Sequence, residues 1–299
     1  MLVSGLLATG ATAVSGQLLL PLAGDLSRDD QRGRVVGSIA SGILVGILLS
    51  RTVSGFVAEH FGWRAIYVLA SAATAILAVV VAAKLPRDTE RHGGMSYPRL
   101  LASIVTTVTA HRAIGVTLFI GACSFGVFTM FWTGLTFLLR SPPFSYSLAR
   151  IGLVGLVGLA GALAARQAGR LHDLGWSSRA TGAALVLALA SLALAAAGAR
   201  SIVLLLAAVL LVDVAIQGIA ILNQTRLFSL AAQARSRVNT AYVVCNFTGG
   251  AIGSLLAGTL WDIAGWHALV GGQVAVVVSA LSAWTLNRAT LASADVRRR

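Results

Sequence analysis

The chain has 299 residues, of which 57% are hydrophobic and only 11% are charged, and its mean hydropathy is +0.84. A soluble globular domain needs more charge than this to cover its surface, so the composition excludes that class. The net charge of +13 comes from basic residues scattered through short loops without an aromatic stacking platform, so we expect no nucleic-acid partner.

Apolar runs long enough to cross a bilayer, about 20 residues each, recur along the whole chain. Backbone amides in hydrocarbon must be satisfied internally, and the runs lack the two-residue alternation of barrel strands, so they are predicted to be helices. The sequence predicts an all-α integral membrane protein with about nine transmembrane helices, near residues 2–22, 35–56, 64–83, 113–139, 149–166, 180–198, 201–222, 238–260 and 267–286.

The 23 basic residues are distributed unevenly between the two sets of loops that connect these runs. Most fall on one set, which includes Arg32, Lys84, Arg170, Arg226 and the tail ending at Arg299. The positive-inside rule makes this set cytoplasmic. It predicts a multi-pass protein of the inner (cytoplasmic) membrane with a cytoplasmic C-terminus.

Residues 32–65 and 235–268 read as two copies of one segment, aligned without a gap. The Gly-Trp pair that closes the first copy, Gly62-Trp63, recurs as Gly265-Trp266. Such duplication indicates a membrane protein built from two similar halves. In this alignment the first-half counterparts of 113–139, 149–166 and 180–198 would precede Met1. We therefore expect that three N-terminal helices of a twelve-helix ancestor are missing.

A loop motif gives this duplication a family context. Gly-x-Leu-x-Asp followed by basic residues occurs after the run at 149–166, with Gly169, Leu171 and Asp173 as the motif and Arg170 and Arg179 as the charges. Together with two parallel six-helix halves and a basic linker, the motif resembles the major facilitator superfamily, from its fourth to its twelfth helix. The resemblance implies a cytoplasmic gating loop here. The phrases Arg32-Gly33-Arg34 and Gly62-Trp63-Arg64 look like a bacterial drug- or metabolite-efflux branch.

The resemblance also divides the chain into four parts. Residues 1–83 are the last three helices of an incomplete N-terminal half, and 84–112 form a cytoplasmic linker with an amphipathic surface helix. Residues 113–287 are a complete six-helix C-terminal half, and 288–299 a basic tail.

Glycines spaced four residues apart predict close helix packing at two places. Gly42 and Gly46 form one pair, and Gly249 and Gly253 form the other. A glycine stripe at residues 152, 155, 158 and 161 predicts a third smooth surface. Such stripes serve lipid-phase packing, and they also suit sliding between two halves that rock against each other.

Polar residues inside the apolar runs are the candidates for function. Asp213 lies near the middle of its run, where a carboxylate must face a cavity, find a partner or be protonated. We expect a proton-coupling or substrate-cavity role for it, with a structural interhelix hydrogen bond as the alternative. Further cavity candidates share helix faces with one another or lie on other runs: Gln17, Gln217, Asn239, Tyr242 and Asn246.

Arg51 lies well inside an apolar run, whereas Arg64, Arg150 and Arg166 fall at the ends of theirs. About 25 Å of helix separates it from Arg34 at 1.5 Å per residue, which places it toward the outer interface. Its side chain is expected either to snorkel to that interface or to act in an outer gate or anion-attracting site.

Enzyme functions are poorly supported by the sequence. The histidines are dispersed without ligand spacing, Cys123 and Cys245 fall inside apolar runs, and no phosphate-binding glycine loop with lysine occurs. We therefore expect no metal site, no cofactor and no enzyme activity.

The function expected from these features is secondary active transport of a small molecule by alternating access. The expected form is proton-coupled efflux by antiport. Uptake of a metabolite by proton symport is the alternative within transport. A truncated, non-transporting membrane remnant or a membrane-embedded lipid-modifying enzyme are the alternatives outside it. The expected partners are a small-molecule substrate, protons and the lipid bilayer, and the expected state is a monomer.

Overall fold

A computed structural model describes residues 31–84, 96–158, 176–231 and 234–296, and the regular structure in these ranges is helical, without a strand. The helices are α1 (Arg32–Phe61), α2 (Trp63–Lys84), α3 (Tyr97–Thr109), α4 (Arg112–Arg140), α5 (Leu148–Val154), α6 (Ser177–Ala197), α7 (Ile202–Leu230) and α8 (Arg235–Val296). The all-α prediction is confirmed.

The repeated Gly-Trp pair forms the same kind of corner twice. Gly62 ends α1 with φ of 79°, and Gly265 interrupts α8 with φ of 62°. Positive φ is accessible to glycine without the steric cost that other residues meet. Ala264 and Gly265 thus divide α8 into a first arm, 235–263, and a second arm, 266–296. The duplication seen in the sequence is a duplication of helix–corner–helix units.

Five helices among the described residues are long and apolar enough to cross a membrane, with the two arms of α8 counted together. They are Trp63–Ala83, Arg112–Arg140, Ser177–Ala197, Ile202–Leu230 and Arg235–Ser293. The predicted run at 2–22 and the end of the run at 149–166 lie outside the described residues. The count of nine spans and the four-part division of the chain therefore stay predictions.

Helices α4, α6, α7 and α8 form the core of the C-terminal half. Its closest approach is between α4 and the first arm of α8, where a Cβ on Gly249 would overlap the backbone of Ala122. The second arm of α8 lies along α6, because the indole N–H groups of Trp266 and Trp284 donate to the carbonyl oxygens of Ala195 and Ser178 at 2.9 and 2.8 Å. Buried indoles are stabilised by such partners.

The linker helix and α2 lie outside this core. In α3, Ile104 and Val108 pack on the apolar cluster around Leu118, whereas Val105 is 61% exposed. In α2 the apolar side chains face outward, and Val68 and Val79 are each 69% exposed. Such a helix suits contact with lipid tails.

One position assigned to a loop is in fact interior. The helix α7 continues to Leu230, so Arg226 lies within it and is fully buried, and its guanidinium donates to the hydroxyl of Thr181 at 3.3 Å. Counting Arg226 as a cytoplasmic loop charge was therefore wrong. An arginine has a long side chain with an apolar stem, so it can be buried when a neighbouring helix supplies hydrogen-bond partners.

Candidate functional site

The candidate site begins where α1, from the first half, packs against α5, from the second. The hydroxyl of Thr52 donates to the carbonyl oxygen of Gly152 at 3.2 Å. A Cβ on Gly152 would lie 2.8 Å from the carbonyl oxygen of Arg51, so only glycine permits this spacing of the two backbones. The predicted smooth stripe therefore lies, as far as it is described, at a contact between the halves.

A carboxylate at the end of the same contact continues the interface. The backbone N–H of Ala149 donates to Glu59 Oε2 at 2.8 Å. This hydrogen bond lowers the pKa of Glu59, and the hydroxyl of Ser147 adds to the effect. Glu59 thereby joins α1 to the first turn of α5.

Asp213 lies in a cluster formed by Arg51, Trp132, Asp213 and Gly158, which we call the charged cluster. The indole N–H of Trp132 donates to Asp213 Oδ1 at 3.4 Å, and a Cβ on Gly158 would overlap the same carboxylate. Arg51 attracts Asp213 electrostatically. Asp213 is only 5% exposed, so each of these neighbours replaces water that the carboxylate has lost.

The Arg51 side chain lies over two aromatic rings of α4. Its guanidinium carbon lies 3.7 Å from the ring centroid of Trp132 and 5.7 Å from that of Phe128. Arg51 is about 15 Å from the end of α1 at Phe61, and Asp213 is about 17 Å from the start of α7 at Ile202, at 1.5 Å per residue. Both residues therefore lie well inside their helices, at a similar distance from one helix end.

Four elements from both halves thus meet at the charged cluster: α1 supplies the cation, α4 the indole, the segment after α5 the glycine, and α7 the carboxylate. The arrangement can hold a proton on Asp213, respond electrostatically to that proton through Arg51, and transmit the response across the contact between the halves.

The other polar candidates lie along a separate contact between α7 and the first arm of α8. Gln224 Nε2 donates to Asn239 Oδ1 at 3.4 Å, and the Tyr242 hydroxyl donates to the carbonyl oxygen of Ala220 at 3.3 Å. Continuing this antiparallel register places Asn246 at the level of Gln217. Asn246 Oδ1 is buried and has no hydrogen-bond partner among the described residues. Gln217 is half-buried.

Several predicted residues fall outside the described part of the chain. These are Gln17, near the start, and the gating-loop residues Gly169, Arg170, Leu171 and Asp173. Arg179, the last member of the predicted loop, is exposed in the first turn of α6.

The predicted packing glycines behave differently in the two halves. Gly249 and Gly253 meet the backbone of α4, where a Cβ on Gly253 would overlap the carbonyl oxygen of Gly126. Gly42 and Gly46 have no described atom within 4 Å of a Cβ position, so the contact expected of them involves none of the described residues.

Two buried amides were overlooked in the sequence. Asn223 and Gln273 are fully buried, and their side-chain amide atoms have no hydrogen-bond partner among the described residues. Both are polar residues inside or near predicted apolar runs. The same sequence signal identified Asp213, so it could have identified these two residues as well. Within the described ranges no group of three or more His, Cys, Asp or Glu side chains is placed to hold a metal ion.

Comparison with known proteins gives the family. The Major Facilitator Superfamily profile matches residues 1–254. A protein named uncharacterized transporter YgaY, from Escherichia coli O157:H7, is 39% identical over 280 residues, which cover 93% of this chain and 71% of that protein. The probable transporter SCO4007 of Streptomyces coelicolor is 33% identical over 270 residues, covering 90% of this chain and 61% of that relative.

These matches support a transporter rather than an enzyme, so the lipid-modifying alternative finds no support. They also agree with the apolar helices, which require a membrane around them. The chain is a multi-pass membrane protein with a small-molecule substrate, and it belongs to the major facilitator superfamily of transporters.

Proposed function

We propose that this protein exports a small molecule in exchange for protons, with Asp213 as the group that takes up and releases the proton. The observation that carries the proposal is that Asp213 and the arginine that attracts it lie on α7 and α1, which the sequence assigns to different halves. A proton on that carboxylate removes its charge, and this weakens the attraction between the halves at the charged cluster.

This arrangement suggests how protonation is linked to movement. With Asp213 ionised, Arg51 and Trp132 favour the arrangement in which α1 lies against α5. With Asp213 protonated, that arrangement loses its electrostatic support and the opposite arrangement of the halves becomes more populated. A ligand or proton shifts such an equilibrium only through its different affinity for the two states, and the charge of Asp213 supplies that difference.

The polar contact between α7 and α8 supports a substrate path next to this group. Gln217 and Asn246 lie at one level in the register, and the Asn246 carbonyl oxygen lacks a partner among the described residues. We propose that these two side chains, with Tyr242 and Asn239 further along the path, bind polar groups of the substrate. Direction remains part of the proposal: the same carboxylate supports uptake if proton and substrate bind together.

The topology of this proposal follows the positive-inside prediction. The C-terminus and the proposed gating loop at residues 169–173 are cytoplasmic, in the inner membrane, and the protein works as a monomer. The contact from Arg51 to Glu59 then lies on the outer side.

The experiment uses proteoliposomes that contain a trapped pH-sensitive dye. A panel of organic cations, neutral compounds and anions is applied in turn, and antiport appears as proton movement opposite to the compound. Asp213→Asn is expected to reduce this proton movement at least tenfold. The matched control is Asp262→Asn, the same change at an exposed carboxylate. If no compound of any charge drives proton movement in the wild type, or if Asp213→Asn leaves it intact, the proposal is wrong.

A further inference from the structure

An aromatic stripe runs along one face of α4. Phe125, Phe128 and Trp132 follow one another at helical spacing, with ring centroids 5.9 Å apart for the first two and 6.4 Å apart for the last two. The three rings are only half-buried, although other side chains of α4, such as Phe131, are fully buried. Phe125 packs against Phe247 of α8, whereas Phe128 and Trp132 offer aromatic faces where Arg51 of α1 meets α4.

Arg51 covers the part of this stripe nearest Asp213. Its guanidinium lies over Trp132 and Phe128 at the distances given above, within the range of a cation–π interaction. The stem is held against the glycine stripe, since a Cβ on Gly155 would lie 3.1 Å from Arg51 Cδ. Aromatic faces beside a carboxylate are the chemistry that recognises organic cations.

The cation and its binding groups belong to different bodies. Arg51 is part of α1, whereas Phe128 and Trp132 belong to α4 and Asp213 to α7. If the halves separate here, as the proposed function requires, Arg51 moves away with α1. The rings and the carboxylate then stay together without it.

We propose that Phe128, Trp132 and Asp213 form a binding site for a monovalent organic cation, and that Arg51 is a tethered occupant that competes with it. The inference deepens the proposed function by naming the charge class of the substrate, and it rests on that function for its transport role. A tethered group acts at a high effective concentration, so it displaces bound cation when the halves close. In this way Arg51 promotes release of the substrate as well as closure.

The competition predicts an unusual gain of affinity. Arg51→Met removes the guanidinium but keeps an unbranched stem against Gly155, so the site loses its internal competitor. We expect the protein in lipid nanodiscs to bind radiolabelled tetraphenylphosphonium about tenfold more tightly, after subtraction of empty nanodiscs. A gain of this kind cannot come from misfolding. Trp132→Leu and Asp213→Asn are expected to weaken binding at least tenfold.

The chain offers a matched control for the arginine. Arg64 also lies over an indole ring, that of Trp63 at 4.5 Å, but both residues are exposed at the start of α2. Arg64→Met therefore removes a comparable cation–π pair away from the site, and we expect unchanged tetraphenylphosphonium binding.

Ligands of opposite charge distinguish a cation-binding site from an anion-binding site. Tetraphenylborate has nearly the same size and shape as tetraphenylphosphonium with the opposite charge, and we expect no saturable binding of it to the wild type. Saturable tetraphenylborate binding that Arg51→Met abolishes would make Arg51 an anion-binding group and overturn the proposal. Unchanged or weaker tetraphenylphosphonium binding by Arg51→Met would also overturn it. Because this assay measures binding without a proton gradient, its result is independent of whether proton exchange occurs.

Discussion

At the scale of single residues, the neighbours of Asp213 matter as much as its own charge. Its carboxylate accepts from an indole N–H, is attracted by the Arg51 guanidinium, and lies against Gly158. A buried carboxylate without such neighbours would be strongly destabilising. Gly158 is the least conspicuous of them, yet its missing side chain leaves the space that the carboxylate occupies.

Replacing Gly158 with alanine tests whether the Asp213 carboxylate needs the space that the missing side chain leaves. The added methyl group would overlap the Asp213 carboxylate, and because that side chain is short it can rotate away, at the loss of its hydrogen bond to Trp132. We expect Gly158→Ala to reduce transport-linked proton movement at least tenfold, while the thermal unfolding midpoint falls by only a few degrees, as overpacking of about 1 kcal/mol implies.

The control for this change is Gly258→Ala, in the first arm of α8. No atom of the described residues lies within 4 Å of a Cβ there, so the substitution adds helix propensity without a clash. We expect an equal or slightly higher unfolding midpoint and unchanged proton movement. Full proton movement in Gly158→Ala would show that the glycine has no part in positioning Asp213.

The sequence identified residues better than it identified their partners. A carboxylate in the middle of an apolar run is conspicuous because of its desolvation cost, so Asp213 could be found without a structure. Its contacts with Arg51 and Gly158 could not be, because they join helices far apart in the chain and depend on how the helices are rotated. The same limit explains Arg226, whose burial depends on where α7 ends.

At the scale of elements, the contact between α1 and α5 includes a hydrogen bond at the N-terminus of α5. Glu59 accepts from the N–H of Ala149, in the first turn of α5, where backbone donors lack helical partners and negative charge is favoured. A charged end contact of this kind depends on pH, whereas the glycine contacts between the same helices do not.

The pH dependence has a definite direction. The pKa of Glu59 is lowered in the folded protein, so its ionised form stabilises the fold above the pKa of the unfolded chain. That contribution is lost as the pH falls through the lowered, folded value. We expect acidification from pH 7 to lower the unfolding midpoint more in the wild type than in Glu59→Gln. Because the carboxylate is exposed, the difference should be a few degrees at most.

The matched change for Glu59 is Asp262→Asn, at the equivalent position of the repeat. This variant should keep the full acid response of the wild type. Identical acid responses in the wild type and Glu59→Gln would rule out a stabilising role for the carboxylate.

The elements themselves were largely predictable. Apolar runs give the helices because backbone groups in hydrocarbon have no other partners, and glycine with positive φ gives the corners at Gly62 and Gly265. Helix ends were less predictable, since α7 and the second arm of α8 extend beyond their apolar runs. Polar ends of a helix are favourable in interfacial water, so hydropathy does not mark them.

At the scale of the whole molecule, alternating access requires that each half moves as a unit. Within the second half, tryptophan hydrogen bonds and glycine contacts join α4, α6 and α8. The described contacts between the halves involve mainly α1 and α5, through glycine backbones and the hydrogen bonds of Thr52 and Glu59, together with the charged cluster. This difference favours motion between the halves over motion within one.

Covalent cross-links distinguish the two kinds of motion. Linking Glu59→Cys to Ala149→Cys with a short reducible reagent ties α1 to α5, so we expect transport-linked proton movement to stop and to return after reduction.

Cys123 lies 3.9 Å from the Ser279 hydroxyl, and both belong to the second half. Ser279→Cys therefore creates an intra-half cross-link with one substitution, and we expect proton movement to survive it. If the intra-half cross-link also stops proton movement, or the inter-half cross-link leaves it intact, the halves do not rock as rigid bodies.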